Sequence, residues 1–231
     1  MFGYIAWERF GKPRVMLDRR FIGGIPFVTL EVRGEGRRVR RRVLRAAKEM
    51  ERMGVRRCVM PEGWQAAWET GLRPVGEDKL RQALLPQLLS RFCEERGLIL
   101  EQSTTLLCAP RPESAVWTAA KLLAQRSRHL ILSVEGGEAL RQTLWREYGL
   151  SAGGGGQAAL QVCFAAPVYP IPALLLGSGC QIRQKVSYGL NALWTEKLGE
   201  YLPTPQLLTA LWEIGALPLS AVEVLSLGNG A

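Results

Sequence analysis

Four polar side chains stand shortly after apolar, strand-like runs of this sequence and could act on a ligand: Glu62, Arg111, Ser114 and Glu135. In a parallel sheet, the ends of such runs meet at one edge, where α/β proteins bind their ligands. An arginine guanidinium can hold a phosphate or a carboxylate through two parallel hydrogen bonds. These residue types therefore indicate a candidate site for a small anionic ligand, and the two glutamates leave carboxylate chemistry open there.

Other reactive groups are scarce, so the catalytic residues stay unassigned. His129 is the only histidine and precedes a strand-like run, which argues against a histidine-dependent nucleophile or a multi-histidine metal site. The cysteines are dispersed and form no C-x-x-C pair: Cys58, Cys93, Cys108, Cys163 and Cys180. Such a set fits a reducing compartment, and we predict no metal site and one exposed thiol, Cys180.

Positive charge is concentrated in the first quarter of the chain. Residues 1–60 carry 16 Lys or Arg against 6 Asp or Glu, and the whole chain has a net charge of +9. Within the Arg-rich segment Arg37 to Arg57, apolar residues recur every three or four positions: Val39, Val43, Ala47, Met50 and Met53. This spacing predicts a helix over about Arg37 to Met53 with one buried stripe. Four arginines fall largely on the opposite side: Arg38, Arg41, Arg42 and Arg45.

A cationic helix face can contact several kinds of partner. It can neutralise nucleic-acid phosphates, bind an acidic protein or approach an anionic lipid surface, and it can equally remain a solvated face. No aromatic residue lies between Phe27 and Trp64, so the segment offers no side chains on which bases could stack. Any binding of DNA or RNA is therefore expected to be weak and independent of base sequence.

The order of predicted elements indicates an α/β fold. Short strand-like runs separated by glycine-containing turns open the chain, and they predict a β-hairpin or meander. Strands then alternate with helices, which favours a mainly parallel sheet with right-handed crossovers and helices on both faces. We predict an N-terminal α/β region over residues 1–102 and a second region over residues 103–231, or one continuous domain across both.

The second region contains the strongest strand predictions. Thr104 to Cys108, Leu130 to Val134 and Ala159 to Phe164 are apolar on both faces, as covered parallel strands must be, so we expect them to be adjacent and parallel. Helices are predicted over Glu113 to Arg126 and Glu138 to Tyr148. Before this region, Glu77 to Arg96 is predicted as one long helix that ends at Gly97.

The stretch TTLLCAPRPESAVWTAAKLLAQRSRHLILSVEGGEALRQTLWREYGLS resembles the first β-α-β-α of Rossmann folds in the shikimate dehydrogenase and glutamyl-tRNA reductase group. The likeness runs from Thr104 to about Phe164, which is roughly a quarter of the chain. Glu135 stands about 20 residues after the first turn, where that pattern places the acid that binds the adenosine ribose. The resemblance implies a Rossmann-like sheet with a ligand site at its strand ends.

The first turn departs from this family pattern. Ala109, Arg111 and Ser114 occupy the positions of the three glycines that allow a pyrophosphate to approach the backbone. Pro110 and Pro112 remove two backbone donors as well. We therefore predict a degenerate dinucleotide site and no bound cofactor.

Three kinds of function remain open. The interpretation favoured slightly is a non-catalytic scaffold or regulatory partner of other proteins, and the alternatives are an enzyme or binder of a small anionic ligand and a nucleic-acid-associated protein. A cytoplasmic location is expected, because Glu8 and Arg9 interrupt any apolar signal core. We predict no membrane span, since glycines and prolines, among them Gly153 to Gly156, divide the uncharged stretch from Tyr148 to Ile182.

Overall fold

The computed structural model describes residues 1–149, 157–177 and 184–228, with Gln65 and Ala66 described by their backbone alone. The predictions for Gly153 to Gly156 and for Cys180 lie outside these ranges. The chain forms a mixed α/β structure with two compact units. One comprises Met1–Glu77 and Leu190–Val222, and the other comprises Asp78–Gly189 and Glu223–Ala231.

The first unit is built on a five-stranded sheet with the order β2-β3-β1-β4-β5. Its strands are β1 (Phe2–Glu8), β2 (Arg14–Ile22), β3 (Ile25–Arg33), β4 (Arg57–Val59) and β5 (Arg73–Pro74). The strands β2 and β3 form the predicted antiparallel hairpin, in which Ile22 pairs with Ile25. Gly23 and Gly24 close the turn with φ of 58° and 81°, as a two-residue hairpin turn with positive φ requires.

The first strand does not extend this hairpin into a meander. Strand β1 pairs in parallel with both β3 and β4, and β4 pairs in parallel with β5. Strand β3 lies between β2 and β1 and carries the buried run Phe27 to Leu30, because a central strand is covered on both faces. The parallel part of this sheet therefore begins at the N-terminus of the chain.

Helix α1 (Arg37–Arg52) connects β3 to β4 and confirms the predicted basic helix. Its buried side chains are Val39, Val43, Ala47 and Met50. They join the strand residues Ile5, Leu30 and Val32 in one apolar core, so the helix is anchored by its apolar stripe. The helix ends at Met53, and Gly54 follows with a φ of 83°.

Three further helices complete the first unit: α2 (Trp64–Ala67), α7 (Ala192–Leu198) and α8 (Pro205–Glu213). The side chains of Asn191 and Thr204 cap α7 and α8 by accepting hydrogen bonds from backbone N–H groups of their first turns. Gln206 in α8 accepts a hydrogen bond from the Met60 backbone N–H at 2.8 Å. The C-terminal part of the chain therefore returns to the same unit as its N-terminus.

The second unit contains a four-stranded, fully parallel sheet with the order β7-β6-β8-β9. Its strands are β6 (Thr104–Ala109), β7 (His129–Val134), β8 (Leu160–Cys163) and β9 (Ala173–Leu175). Helix α5 (Ser114–Arg126) connects β6 to β7, and helix α6 (Glu138–Tyr148) follows β7. The predicted pairing of the first three strands is therefore confirmed, with bounds that differ by one or two residues.

A proline-containing segment, residues 164–172, connects β8 to β9 without a helix. The side chain of the fully buried Gln161 binds its backbone. Gln161 Nε2 donates to the carbonyl oxygens of Tyr169 at 2.6 Å and Ile171 at 3.1 Å, and Oε1 accepts from the Val168 N–H at 3.1 Å. The Gln161 side chain thus provides hydrogen-bond partners for backbone groups of a connection that has no helix.

The single helix predicted over Glu77 to Arg96 is wrong in one respect. Two helices form there, α3 (Asp78–Ala83) and α4 (Leu85–Arg96). Pro86 lies in the first turn of α4, where its missing N–H and fixed φ are compatible with a helix start but not with a continuous helix. The strands β10 (Val186–Leu190) and β11 (Val222–Leu227) form a separate two-stranded sheet.

Candidate anion-binding surface

Helix α1 presents a continuous row of basic side chains to solvent. At about 100° per residue, its outward side is centred opposite the buried stripe and carries several exposed cationic residues. They are Arg37, Arg38, Arg41, Arg45, Lys48 and Arg52. Arg40 and Arg42 are also exposed and flank the stripe on its two sides. The predicted contact residues Arg38, Arg41, Arg42 and Arg45 thus lie on one helix surface, as the periodicity indicates.

Most of these arginines have no acidic neighbour. Within the described residues, Arg40 binds Glu69 at 2.7 Å and Arg52 approaches Glu49 at 3.4 Å. No carboxylate of the described chain lies within 4.0 Å of the remaining five guanidinium groups, those of Arg37, Arg38, Arg41, Arg42 and Arg45. We refer to these five residues as the arginine face. Their mutual repulsion is relieved only by water, salt or a bound anion.

The N-terminus of α1 adds to this positive potential. The N-cap residue is Gly36, no side chain caps the helix, and the first turn contains no acidic residue. The unsatisfied N–H groups of a first helical turn behave as roughly half a positive charge, so arginines placed there are destabilised by the helix dipole. An anion at this position would offset both effects.

A glycine turn precedes the helix. Gly34 and Gly36 have φ of 74° and 116°, and Glu35 stands between them. A Cβ on Gly34 would lie 3.4 Å from the Gly11 carbonyl oxygen, whereas a Cβ on Gly36 would meet nothing within 4 Å. The backbone is therefore open to solvent at Gly36. Strand β3 is therefore followed by a Gly-x-Gly turn and then by helix α1. This strand-turn-helix lies in the first unit, whereas the family resemblance concerns residues 104–164.

Two cavities flank the start of α1. One of about 600 Å³ is bordered by Gly36, Arg37, Arg40 and Trp68. The other, of about 450 Å³, is bordered by Arg14, Arg37, Arg38 and Arg42. Glu35 borders both cavities and is the only carboxylate among their lining residues; it approaches Arg9 at 3.9 Å. Space and cationic groups therefore coincide on both sides of the helix start.

Trp68, which borders the larger cavity, belongs to a cluster of three tryptophans. Trp64 and Trp68 are buried, and Trp7 contacts both with ring centroids 6.0 Å and 5.8 Å away in edge-on orientations. Trp68 is only 4% exposed, so it closes the cavity rather than offering a surface for base stacking.

The candidate residues of the second unit lie at the carboxyl edge of its sheet. Arg111 and Ser114 follow β6, Glu135 follows β7, and all three are exposed. A side-chain hydrogen bond stabilises the turn between β6 and α5: Trp117 Nε1 donates to the Pro112 carbonyl oxygen at 3.0 Å. Glu113 is the N-cap residue of α5, although its carboxylate accepts no hydrogen bond from the helix.

The fourth predicted site residue, Glu62, belongs to the first unit. It is exposed in the turn between β4 and α2, on a different sheet from the other three. Sequence reasoning grouped the four because each follows a strand-like run, a signal that does not distinguish one sheet from two. It also missed Gly36, Arg37 and Trp68, although the glycines immediately before the arginine run were a usable signal for the first two.

Among the described residues, no three side chains of His, Cys, Asp or Glu come together in a way that could hold a metal ion. No described helix combines the length and the apolar character needed to cross a bilayer. The sequence matches no protein-family model and no curated protein, so the case for its function depends on the chain's own residues.

Proposed function

We propose that this protein binds the phosphate backbone of nucleic acid through the arginine face of α1. One observation carries the proposal: five exposed arginines without a carboxylate within 4.0 Å among the described residues lie along the first half of a 16-residue helix whose N-terminus has no side-chain cap. The buried apolar stripe fixes this helix on its sheet, so the arginines are held on a rigid element.

Phosphate is the anion that best fits these groups. The planar guanidinium matches phosphate oxygens with two parallel hydrogen bonds, and a helix N-terminus supplies backbone N–H donors for another. Helix α1 is about 24 Å long at 1.5 Å per residue, so its arginines can meet several phosphates of one strand. Gly36 and Arg37 would receive one phosphate, and Arg41 and Arg45 would follow the backbone away from it.

The other partners of a cationic face fit less well. The apolar stripe of α1 is buried in the core, so the helix has no exposed apolar face that could insert into a lipid interface. An acidic protein would bring carboxylates that need fixed positions, whereas the arginine face offers long side chains in open solvent. A flexible polyanion with regularly repeated charges places fewer demands on geometry.

The proposal implies affinity without base selectivity. Contacts of this kind give dissociation constants of roughly 10⁻⁴ to 10⁻⁶ M at physiological salt. Helix α1 itself carries no aromatic residue, and Trp68 beside its start is buried, so neither offers bases a stacking surface. The test is fluorescence anisotropy with labelled duplexes and single strands of unrelated sequences, which should bind with similar affinity.

A matched pair of triple variants makes the test specific. Arg38→Gln, Arg41→Gln and Arg45→Gln together remove three guanidinium groups from the arginine face. Arg126→Gln, Arg128→Gln and Arg146→Gln remove three exposed arginines from the second unit and change the net charge equally. The first variant should lose most of its affinity and the second should retain it. Equal losses would show that net charge alone causes binding and would overturn the proposal.

The parallel sheet of the second unit supports a separate structural proposal, that it is a Rossmann-like sheet whose dinucleotide site has degenerated. Strand order reverses between β6 and β8, the position where open α/β sheets hold ligands. The turn at that position carries Arg111 and is fastened by Trp117. A small anion held by the Arg111 side chain remains compatible with this turn, whereas a pyrophosphate against its backbone does not.

A further inference from the structure

Two cysteines lie side by side on neighbouring strands of the parallel sheet in the second unit. The register of β6 and β8 pairs Cys108 directly with Cys163, and neither forms a disulfide. Paired residues on neighbouring parallel strands project to the same face of the sheet. Both thiols lie in one apolar cluster with Leu106 and Leu175, so they share a confined environment.

The general spacing of neighbouring strands falls within the Cα range of disulfides. Neighbouring strands lie roughly 4.8 Å apart, and disulfides form between residues whose Cα atoms are about 4.4–6.8 Å apart. Cys163 hydrogen-bonds to the Cys108 sulfur, and this bond lowers the pKa of Cys108 although burial opposes it. By contrast, burial raises the pKa of Cys58, which has no thiol beside it among the described residues, to about 12.

The pair also lies close to the edge of the sheet. Cys163 is the last residue of β8, and Cys108 is the penultimate residue of β6. Cys108 is 2% exposed and Cys163 is 0% exposed, so a bulky disulfide reagent would be excluded. Access of hydrogen peroxide to this buried pair therefore requires local opening of the strand ends.

We propose that Cys108 and Cys163 form a redox-active dithiol that a small hydroperoxide converts to an intramolecular disulfide. The Cys108 thiolate attacks one peroxide oxygen, the O–O bond breaks, and hydroxide leaves, so that a sulfenic acid forms. The Cys163 thiolate then attacks the Cys108 sulfur, the S–O bond breaks, and the second hydroxide leaves. Two thiols and one hydrogen peroxide become one disulfide and two waters, and two electrons pass from sulfur to oxygen.

Peptide mapping after exposure of the folded protein to dilute hydrogen peroxide tests this assignment. Remaining thiols are alkylated after unfolding, and the expected product is a peptide pair joined through Cys108 and Cys163 that lacks two hydrogen atoms. Cys58 and Cys93 are buried internal controls and should be alkylated in full. Oxidation of all four at similar rates would mean that global opening exposes them, and would overturn the proposal, as would the absence of the linked peptides.

A pair of variants distinguishes the two roles. Cys163→Ser should leave the Cys108 sulfenic acid without its resolving thiol, so a 1,3-dione probe should label Cys108 after peroxide treatment. Cys58→Ala, a matched loss of one buried thiol, should still form the Cys108–Cys163 link. Labelling of Cys108 that is unchanged between wild type and Cys163→Ser would contradict the assignment. The peptide map of the wild-type protein decides the question even where a variant does not fold.

Discussion

The starts of α1 and α5 provide the most informative comparison in this protein. Each follows a parallel strand, and each is a position where an α/β protein can receive an anion. At α1 the turn is Gly34-Glu35-Gly36, the backbone is open at Gly36, and the five residues of the arginine face have no carboxylate within 4.0 Å among the described residues. At α5 the turn contains two prolines, and Trp117 binds one of its carbonyl groups.

The difference bears on how an anion site should be sought in an α/β protein, because the two helix starts share their element order but not their turn chemistry. What matters is whether the donors at the helix start are left available and whether nearby cations are left uncompensated. Both helix starts lack a side-chain cap, but α1 carries five such arginines behind an open glycine turn, whereas the turn before α5 carries Arg111 alone between two prolines. The resemblance of residues 104–164 to a Rossmann fold draws attention to the second unit, whereas the charge and the open glycine turn favour the first.

Salt dependence should give the largest effect. Five phosphate contacts predict that the logarithm of the affinity for duplex DNA falls with a slope of about −4.5 against the logarithm of salt concentration. A rise from about 50 mM to about 200 mM salt should then weaken binding by about 500-fold. The triple variant of the arginine face should reduce the slope by about 2.7, and anisotropy titrations at several salt concentrations would measure both.

A slope that is the same in that variant and in wild type would place the contacts elsewhere. The charge-matched variant of the second unit serves as the control, and its slope should stay near the wild-type value. If the control loses the slope instead, the comparison between the two helix starts is reversed.

Gln161→Ala should show that the second unit uses its polar groups internally. The substitution removes the side chain that binds the backbone at Val168, Tyr169 and Ile171. Removing a buried partner of this kind costs about 2 kcal/mol in the free energy of unfolding, because backbone groups lose their hydrogen bonds. Urea denaturation would measure the loss, and nucleic-acid affinity should not change.

The exposed Gln142 on α6 offers a control of the same residue type. Gln142→Ala should leave stability within about 0.5 kcal/mol of wild type, as most surface substitutions do. A Gln161→Ala protein as stable as this control would mean that water replaces the lost hydrogen bonds.

Sequence periodicity was sufficient for the elements with a strong apolar pattern. Helix α1 and the strands β6, β7 and β8 follow from residues that repeat at helical spacing or are apolar on both faces. The break between α3 and α4 was missed because apolar spacing continues across Leu84, and Pro86 was given too little weight. The elements β10 and α7 are too short for their apolar spacing to predict them.

The candidate surface was predictable only in part, for a physical reason. The arginine face follows from the helical period, since it depends on neighbours within one helix. The larger cavity is bordered by both Arg37 and Trp68, residues far apart in sequence. Pairing between chemical groups of this kind depends on the packing of α1 and α2, which no local pattern encodes.

Gly36→Ala tests the open turn and should have a smaller effect. A φ of 116° is unfavourable for any residue with a Cβ, although the space around Gly36 is empty. We expect a loss of about 1–3 kcal/mol in the free energy of unfolding if the backbone is held, or a smaller loss if the turn relaxes. If the turn relaxes, the phosphate at the helix start should bind less well because the N–H groups of the first turn are reoriented. If the backbone is held, the added methyl group should obstruct the approach of the phosphate to it.

Gly149→Ala provides the comparison, since Gly149 has a positive φ of 66° at the end of α6, and its Cβ would also meet empty space. It should reduce stability without reducing nucleic-acid affinity. Similar losses of affinity in both variants would show that Gly36 acts through general stability rather than through the turn.

The smallest effect should come from dinucleotides. Millimolar NAD or NADP should leave the melting temperature unchanged, because Ala109, Arg111 and Ser114 stand where a dinucleotide turn needs glycine, and Pro110 and Pro112 offer no N–H. A ligand present at a hundred times its dissociation constant would stabilise the folded state by about 2.7 kcal/mol, so a thermal-shift assay is sensitive enough.

Inorganic phosphate is the useful contrast, since it can bind weakly at Gly36 without requiring the turn before α5. A shift of several degrees with NAD, absent with phosphate, would mean that the turn before α5 is the working anion site, and it would invert the comparison on which the proposed function depends.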